Sequence, residues 1–291
     1  MNIIGHQANI DRLTRFADKR ALPHGFLFFG PEGVGKKQVA LGLARYLEAG
    51  TFTVPPPDFL KAKEATSFRM PLGDRLLILP DETGKIGIDE VRRIRYFLSQ
   101  RPNRSPYRVL ILDEAERLTR EAEHALLKIT EEPPEAGILI LIARDPELLL
   151  PTITSRLAPL YFSLVPQAQV QEWLRGELLL NAKEAARFTK DSLGAPGLAV
   201  RLFSDKRFQR RLLLAEEFLA LRDRKEIIKK ILQPDDFNFG TFLDALILCL
   251  AREEFSSAKR ALWHELLELR GNESYFNLNP RIQLTALGTS L

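Results

Sequence analysis

Cysteine is almost absent from this chain, which has one among its 291 residues. A single cysteine excludes a disulfide within the chain and any metal site that needs several cysteines. That residue, Cys249, lies in an apolar run at positions 245–250. We therefore expect it to be a small residue in the core of a domain.

Long apolar segments are also missing. No apolar stretch approaches the length that spans a bilayer, and the first residues lack a charged segment followed by an apolar core. We therefore expect a soluble cytoplasmic protein with no membrane contact. The net charge of +4 permits contact with nucleic acid without requiring it. The length and an apolar fraction of 45% predict two or three globular domains.

A glycine-rich turn follows four apolar residues at positions 26–29 and precedes a helical pattern of apolar residues. This order of strand, turn and helix is the context of a phosphate-binding loop, because backbone N–H groups and the helix N-terminus converge on an anion. The predicted phosphate-binding residues are Gly30, Gly33, Val34, Gly35, Lys36 and Lys37. A glycine-rich turn without a ligand is the alternative interpretation.

The loop lacks the serine or threonine that normally follows its lysine. A hydroxyl there would bind Mg²⁺, but the residue after Lys36 is Lys37. An ammonium group cannot bind a cation, and it adds positive charge where the metal would lie. We therefore expect ATP or ADP to bind weakly or without metal, and we predict no metal ligands.

Further apolar runs at 76–79, 109–112 and 138–142 alternate with helical patterns, and a shorter run at 160–162 is a candidate fifth strand. Uniformly apolar strands separated by helices indicate a parallel sheet covered on both faces. After Pro166 the strand signals stop and helical patterns continue. The predicted fold class is α/β, with a nucleotide-binding domain at 1–165, a small helical lid at 166–206 and an all-helical domain at 207–291.

Two acidic residues, Asp113 and Glu114, directly follow the predicted strand at 109–112. A parallel strand would place Asp113 at the carboxyl edge of the sheet, where it would bind metal-bound water, while Glu114 would orient a hydrolytic water. The alternative is an acidic pair that caps the next helix.

An arginine, Arg156, ends the run Leu-Pro-Thr-Ile-Thr-Ser-Arg past the fourth strand. From this loop it cannot easily reach its own phosphate loop, but it could contact a phosphate bound to a neighbouring subunit. The alternative is a surface arginine in a local ion pair.

Over residues 1–205 these motifs, in this order, resemble the bacterial clamp-loader family of the AAA+ ATPases. The stretches that carry the resemblance are 30–36, 86–89, 110–114, 125–134 with its Ala-Leu-Leu-Lys and Glu-Glu-Pro-Pro, and 151–156. The resemblance implies an AAA+ domain, a lid and a helical oligomerisation collar. It also implies partners: clamp-loader subunits of the gamma/tau and delta types, and, through the complex, the sliding clamp and primed DNA.

The same resemblance assigns roles that several residues here do not fit. Asp113 and Glu114 take the Walker B positions, and Arg156 takes that of an arginine finger acting in trans. The residue that senses the γ-phosphate corresponds to Arg144, which is too long and wrongly charged for that part. The second sensor arginine corresponds to Gly197, with Arg201 a turn further on. The family's four-cysteine zinc module would occupy 49–75, which has no cysteine, so we expect no zinc.

These departures favour a clamp-loader subunit that hydrolyses little or no ATP itself and completes the site of a neighbouring ATPase subunit through Arg156. One alternative is an ATP-hydrolysing subunit of the gamma/tau type, with Asp113 and Glu114 active. Another is an interaction module whose phosphate loop is always empty.

Overall fold

A computed structural model describes residues 3–53, 73–220, 225–233, 237–252, 257–273 and 278–290. Most of the segment at 49–75, where the sequence predicts no zinc, lies outside these ranges. Within them, no helix is long and apolar enough to cross a membrane.

A parallel sheet organises the first part of the chain, as predicted. In the described residues its five strands have the order β2-β3-β4-β1-β5, and every neighbouring pair is parallel. The apolar runs form the strands because side chains on both faces are covered by helices. The strands are β1 Gly25–Phe29, β2 Arg75–Ile78, β3 Arg108–Leu112, β4 Gly137–Ala143 and β5 Ala158–Tyr161.

The predicted fifth strand is present, but it starts earlier than the apolar run suggested. β5 covers 158–161, and Phe162 lies just beyond it. The backbone N–H of Phe162 still donates to the carbonyl of Phe29, at 2.8 Å. The sequence pattern does not show the start of this strand, because it contains Pro159 and proline is rare in strands except at the edge of a sheet.

Helices flank the sheet and bury one apolar face each. On the helix Ile88–Ser99 the residues Val91, Ile94 and Leu98 are buried, as their spacing of three and four predicts. Thr119 is the N-cap of the helix Arg120–Glu131, and its hydroxyl accepts from the N–H of Ala122 at 3.3 Å. The helices are α1 Gln7–Asp18, α2 Lys36–Ala49, α3 Ile88–Ser99, α4 Arg120–Glu131, α5 Pro151–Thr154, α6 Gln167–Glu177 and α7 Ala182–Ser192.

The rest of the described chain is helical. Its core includes Phe242, Leu246 and Cys249 on one helix, so the predicted burial of the cysteine is confirmed. The helices are α8 Pro196–Ser204, α9 Lys206–Ala220, α10 Lys225–Leu232, α11 Phe239–Ala251, α12 Ser257–Glu273 and α13 Pro280–Ser290.

The chain forms two compact units. One comprises Met1–Thr189 with Gly194–Gly197, and the other comprises Lys190–Leu193 with Leu198–Leu291. The division into three parts with boundaries at 166 and 207 stays a prediction.

A buried carboxylate, that of Asp74, fixes the turn that leads into β3. It accepts backbone N–H groups from Asn103, Arg104 and Ser105 at 2.7, 2.5 and 2.8 Å. Burial opposes ionisation of this group. The three donors, with Arg108 nearby, outweigh that cost and hold the pKa of Asp74 below its usual range.

Candidate functional site

The phosphate loop lies between β1 and α2, in the predicted arrangement of strand, turn and helix. Gly30 has a φ of 135°, and a Cβ there would lie 2.1 Å from the carbonyl oxygen of Phe162. Both facts require glycine at this position. The loop N–H of Gly30 donates to the carbonyl of Arg144 at 3.2 Å, which ties the loop to the end of β4.

Lys36 is buried at the start of α2, and its ammonium group donates to loop carbonyls. The Nζ lies 2.5 Å from the oxygen of Gly30 and 2.7 Å from that of Pro31. Burial lowers the pKa of Lys36, while the carboxylates of Asp113, Glu116 and Glu32 oppose that shift. A partly desolvated cation held inside a glycine-rich loop is suited to binding an anion.

Lys37 forms an ion pair with Asp113. Its Nζ lies 2.8 Å from Oδ2, and the two side chains are 29% and 13% exposed. Asp113 follows β3 and the loop follows β1, so the carboxyl ends of the two parallel strands bring them to one edge of the sheet. In a hydrolysing site the aspartate would bind metal-bound water. Here a side chain of the same molecule contacts it.

Glu114, the second acidic residue, has a φ of 53° and lies in the left-handed region. Its carboxylate is about half exposed and pairs with Arg117 at 3.6 Å on the same turn. Its proposed role toward a hydrolytic water stays a prediction.

Arg144 bridges two carboxylates at the same edge of the sheet. Its Nη2 lies 2.8 Å from Oε2 of Glu32, and its Nε lies 3.5 Å from Oε1 of Glu116. Burial raises the pKa of Glu116, although Arg144 acts against that rise. The other oxygen of Glu116, Oε2, is buried without a hydrogen-bond partner among the described residues.

Sequence reasoning missed both carboxylates that contact Arg144. Glu32 is part of the loop motif at a position where any residue is allowed. The signal for Glu116 was its place two residues after the acidic pair at 113–114, and only the turn after β3 brings its side chain toward the loop.

The first turn of α8 contacts the phosphate loop. The backbone N–H of Gly197 donates to the carbonyl of Gly33 at 2.7 Å, and a Cβ at 197 would lie 2.9 Å from that oxygen. A long sensor side chain therefore has no room at this position. Arg201, one turn further on, pairs with Asp205 at 3.8 Å and lies over the ring of Phe208.

His6 makes a further contact with the phosphate loop. Its Nε2 donates to the carbonyl of Val34 at 2.9 Å, and its ring packs edge-on against Phe162. Burial is the main reason that the pKa of His6 is lowered. Sequence reasoning gave no role to this histidine.

Arg156 lies at the opposite edge of the sheet from the phosphate loop. It precedes β5, whose first residue Ala158 is paired with Phe26 near the start of β1. The loop follows the end of β1, and five strand residues span about 16 Å. An arginine at this edge therefore does not reach the loop of its own chain.

Two acceptors hold the guanidinium of Arg156. Its Nη2 lies 3.0 Å from Oε1 of Glu131, and its Nη1 donates to the carbonyl of Thr152. Arg156 also lines an open groove with His24 and Ser155. The local ion pair that the sequence left open is thus present, and a role toward a neighbouring subunit stays a prediction.

The parallel sheet, the glycine-rich loop after β1, the acidic pair after β3 and the helical region that follows define an AAA+ protein. Residues 5–166 match the family described as DNA polymerase III, delta subunit, over more than half of the chain. The chain therefore belongs to this family and is a clamp-loader-family AAA+ protein.

Individual relatives agree with this assignment. The gamma/tau subunit of DNA polymerase III from Mycobacterium bovis is 35% identical over 165 residues, which cover 56% of this chain and 28% of that protein. The replication factor C small subunit of Methanococcus maripaludis is 27% identical over 273 residues, with 91% and 76% covered.

A solved structure shows the same fold over almost the whole chain. It is that of a DNA polymerase III gamma subunit-related protein from Thermotoga maritima. The TM-score is 0.64 at 24% identity, and 96% of this chain and 97% of that one are covered.

Proposed function

We propose that this chain is a delta-prime-like subunit of the DNA polymerase III clamp loader that does not hydrolyse ATP itself. The observation that carries the proposal is the ion pair of Lys37 with Asp113 at 2.8 Å. It places an ammonium group on the carboxylate that a catalytic metal would need. A hydrolysing site needs that metal to neutralise charge on the transferred phosphoryl group.

The proposed task of the chain is to assemble with gamma/tau-type and delta-type subunits in the cytoplasm. Together they would place the sliding clamp on primed DNA. Arg156 would reach across a subunit boundary to the γ-phosphate of a neighbour, where a guanidinium forms paired hydrogen bonds and offsets transition-state charge. Its place at the edge opposite its own phosphate loop supports this role.

The phosphate loop would bind ATP or ADP weakly and without metal. Lys36 and the start of α2 supply positive charge, whereas Lys37 and Arg144 are already paired with carboxylates. Equilibrium binding of a fluorescent ATP analogue, with and without Mg²⁺, distinguishes weak binding from a loop that is always empty.

An ATP-hydrolysing subunit of the gamma/tau type is the second candidate, because gamma/tau proteins are 35% identical to this chain over 165 residues. Three positions argue against it: Lys37 replaces the metal-binding hydroxyl, Arg144 is paired with Glu32, and Gly197 has no room for a sensor side chain. Steady-state ATPase measurements on the purified chain decide between the two. We expect turnover far below ~1 s⁻¹, the lower end of ordinary enzymes, and turnover at that level would favour the second candidate.

The trans role of Arg156 has its own test in the reconstituted complex. Arg156→Ala should lower the ATPase rate of the neighbouring site by up to ~10³-fold, as other trans arginines do. Arg156→Lys should recover little, because a point charge does not reproduce the planar fork.

Arg104 is the matched control for this test. It is an exposed arginine in the turn before β3, at the same edge of the sheet, and Arg104→Ala should leave the rate unchanged. A folded Arg156→Ala subunit whose complex hydrolyses ATP normally would refute the role.

A further inference from the structure

Helix α4 contacts residues 150–156, here called the Arg156 segment, at both ends of that segment. Near the start, the backbone N–H of Leu150 donates to Oε1 of Glu123 at 3.2 Å. At the far end, Oε1 of Glu131 lies 3.0 Å from Nη2 of Arg156. The two glutamates are eight residues apart, about two helical turns, so both point to the side of α4 where this segment packs.

The contacts of Arg156 hold its guanidinium without using all of its donors. One N–H bond goes to Glu131 and another to the carbonyl of Thr152. A guanidinium has several further N–H groups in a fixed plane. The remaining donors can bind a phosphate while the carboxylate contact persists. The side chains of Arg156 and Glu131 are 38% and 49% exposed, so the pair lies where a second molecule can reach it.

We propose that Glu131 is the positioning residue for Arg156, holding its guanidinium in the orientation from which it contacts a triphosphate bound to the neighbouring subunit. The proposal rests on the proposed function of Arg156. A free arginine side chain samples many rotamers, and ordering it at the moment of binding opposes the contact. A carboxylate that restricts the side chain beforehand reduces this loss. The Glu131 carboxylate also repels the phosphate, but its side chain is about half exposed, so solvent and salt weaken that repulsion.

The expected effect is small, because exposed ion pairs restrict geometry only slightly. In the reconstituted complex, Glu131→Ala should lower kcat of the neighbouring site about threefold and leave KM for ATP unchanged. Glu131→Gln keeps an acceptor oxygen and a similar side-chain volume, so it should lower kcat less. It replaces Glu131→Ala in this test if the alanine variant does not fold. Glu132→Ala is the matched control: this neighbouring glutamate is exposed, and its removal should change nothing.

Two further measurements separate positioning from a structural role. In the Arg156→Ala background, Glu131→Ala should have no additional effect on kcat. In the isolated chain, arginine side-chain ¹⁵N NMR should show the Nε–H signal of Arg156, identified by its loss in Arg156→Lys, becoming more mobile in Glu131→Ala and unchanged in Glu132→Ala.

An equal loss of kcat in both backgrounds, or an Arg156 signal that Glu131→Ala does not affect, would overturn the inference. If Arg156→Ala lowers the rate but Glu131→Ala does not, the inference alone fails. If Arg156→Ala leaves the rate unchanged, the proposed function fails and the inference fails with it.

Discussion

Replacing Lys37 by threonine changes two properties of the loop at once. It removes the ammonium group that lies 2.8 Å from Asp113, and it introduces the hydroxyl that a magnesium site requires. The pair is 29% and 13% exposed, so it is neither a surface pair, worth about 0–1 kcal/mol, nor a fully buried one, whose disruption costs about 3–5 kcal/mol. We therefore expect Lys37→Thr, without metal, to lower the free energy of unfolding by about 1–2 kcal/mol.

Urea unfolding with and without Mg²⁺ and ATP measures both effects. In the wild-type chain, Mg²⁺ should not increase any stabilisation by nucleotide. In Lys37→Thr it should, and the total stabilisation by nucleotide with Mg²⁺ should be about 2.7 kcal/mol when the nucleotide is at 100 times its Kd. Hydrolysis should stay slow in the variant, because Arg144 and Gly197 are unchanged.

Arg117→Ala is the control for this experiment. It removes a cation from Glu114, the residue next to Asp113, but that pair is about half exposed at 3.6 Å. The decrease in the free energy of unfolding caused by Arg117→Ala should be close to zero and independent of Mg²⁺. The argument fails if wild-type and Lys37→Thr chains respond to Mg²⁺ alike, or if Lys37→Thr hydrolyses ATP briskly.

Two other substitutions test features that support the site. Gly197→Ala places a methyl group 2.9 Å from a backbone oxygen of the phosphate loop and should cost about 1–3 kcal/mol in urea unfolding; Gly176→Ala, with open space around it, should be neutral or slightly stabilising, and equal effects would refute the contact. Asp74→Asn should cost about 2–3 kcal/mol at pH 7. The folded-state pKa of Asp74 is lowered, so its contribution is present above the unfolded value of about 3.9 and is lost as pH falls through the folded one. The difference between the two chains should therefore shrink when unfolding is repeated near pH 3, and a constant difference would contradict this.

The sequence predicted the sheet and the loop because both depend on local patterns. Continuous apolar runs form strands that helices cover, and the glycine spacing at 30–35 permits only a tight turn before α2. The start of β5 was misplaced because Pro159 interrupts the pattern that identifies a strand. At an edge, where one side of the strand needs no hydrogen bonds, the proline is tolerated.

The partners of the charged side chains could not be predicted in the same way. Lys37 and Asp113 are 76 positions apart in the sequence. They meet because only one strand, β4, lies between β1 and β3, and periodicity does not reveal this strand order. The contact of Arg156 with Glu131 likewise depends on how α5 packs on α4. Motif spacing identified the residues, but only the tertiary arrangement shows that each cation is already paired.

These pairings have a consequence for the charge of the site. A magnesium ion brings two positive charges to the aspartate and the phosphates of a hydrolysing site. Lys37 on Asp113 and Arg144 on Glu32 bring one each, so the protein itself supplies a comparable charge. Neither group has open coordination positions for water or phosphate oxygens, so under the proposed function the site would keep the charge without the metal chemistry. Because these cations cannot dissociate, EDTA should leave the urea midpoint of the wild-type chain unchanged. A drop in that midpoint would show that a bound metal, rather than Lys37, neutralises the acidic residues.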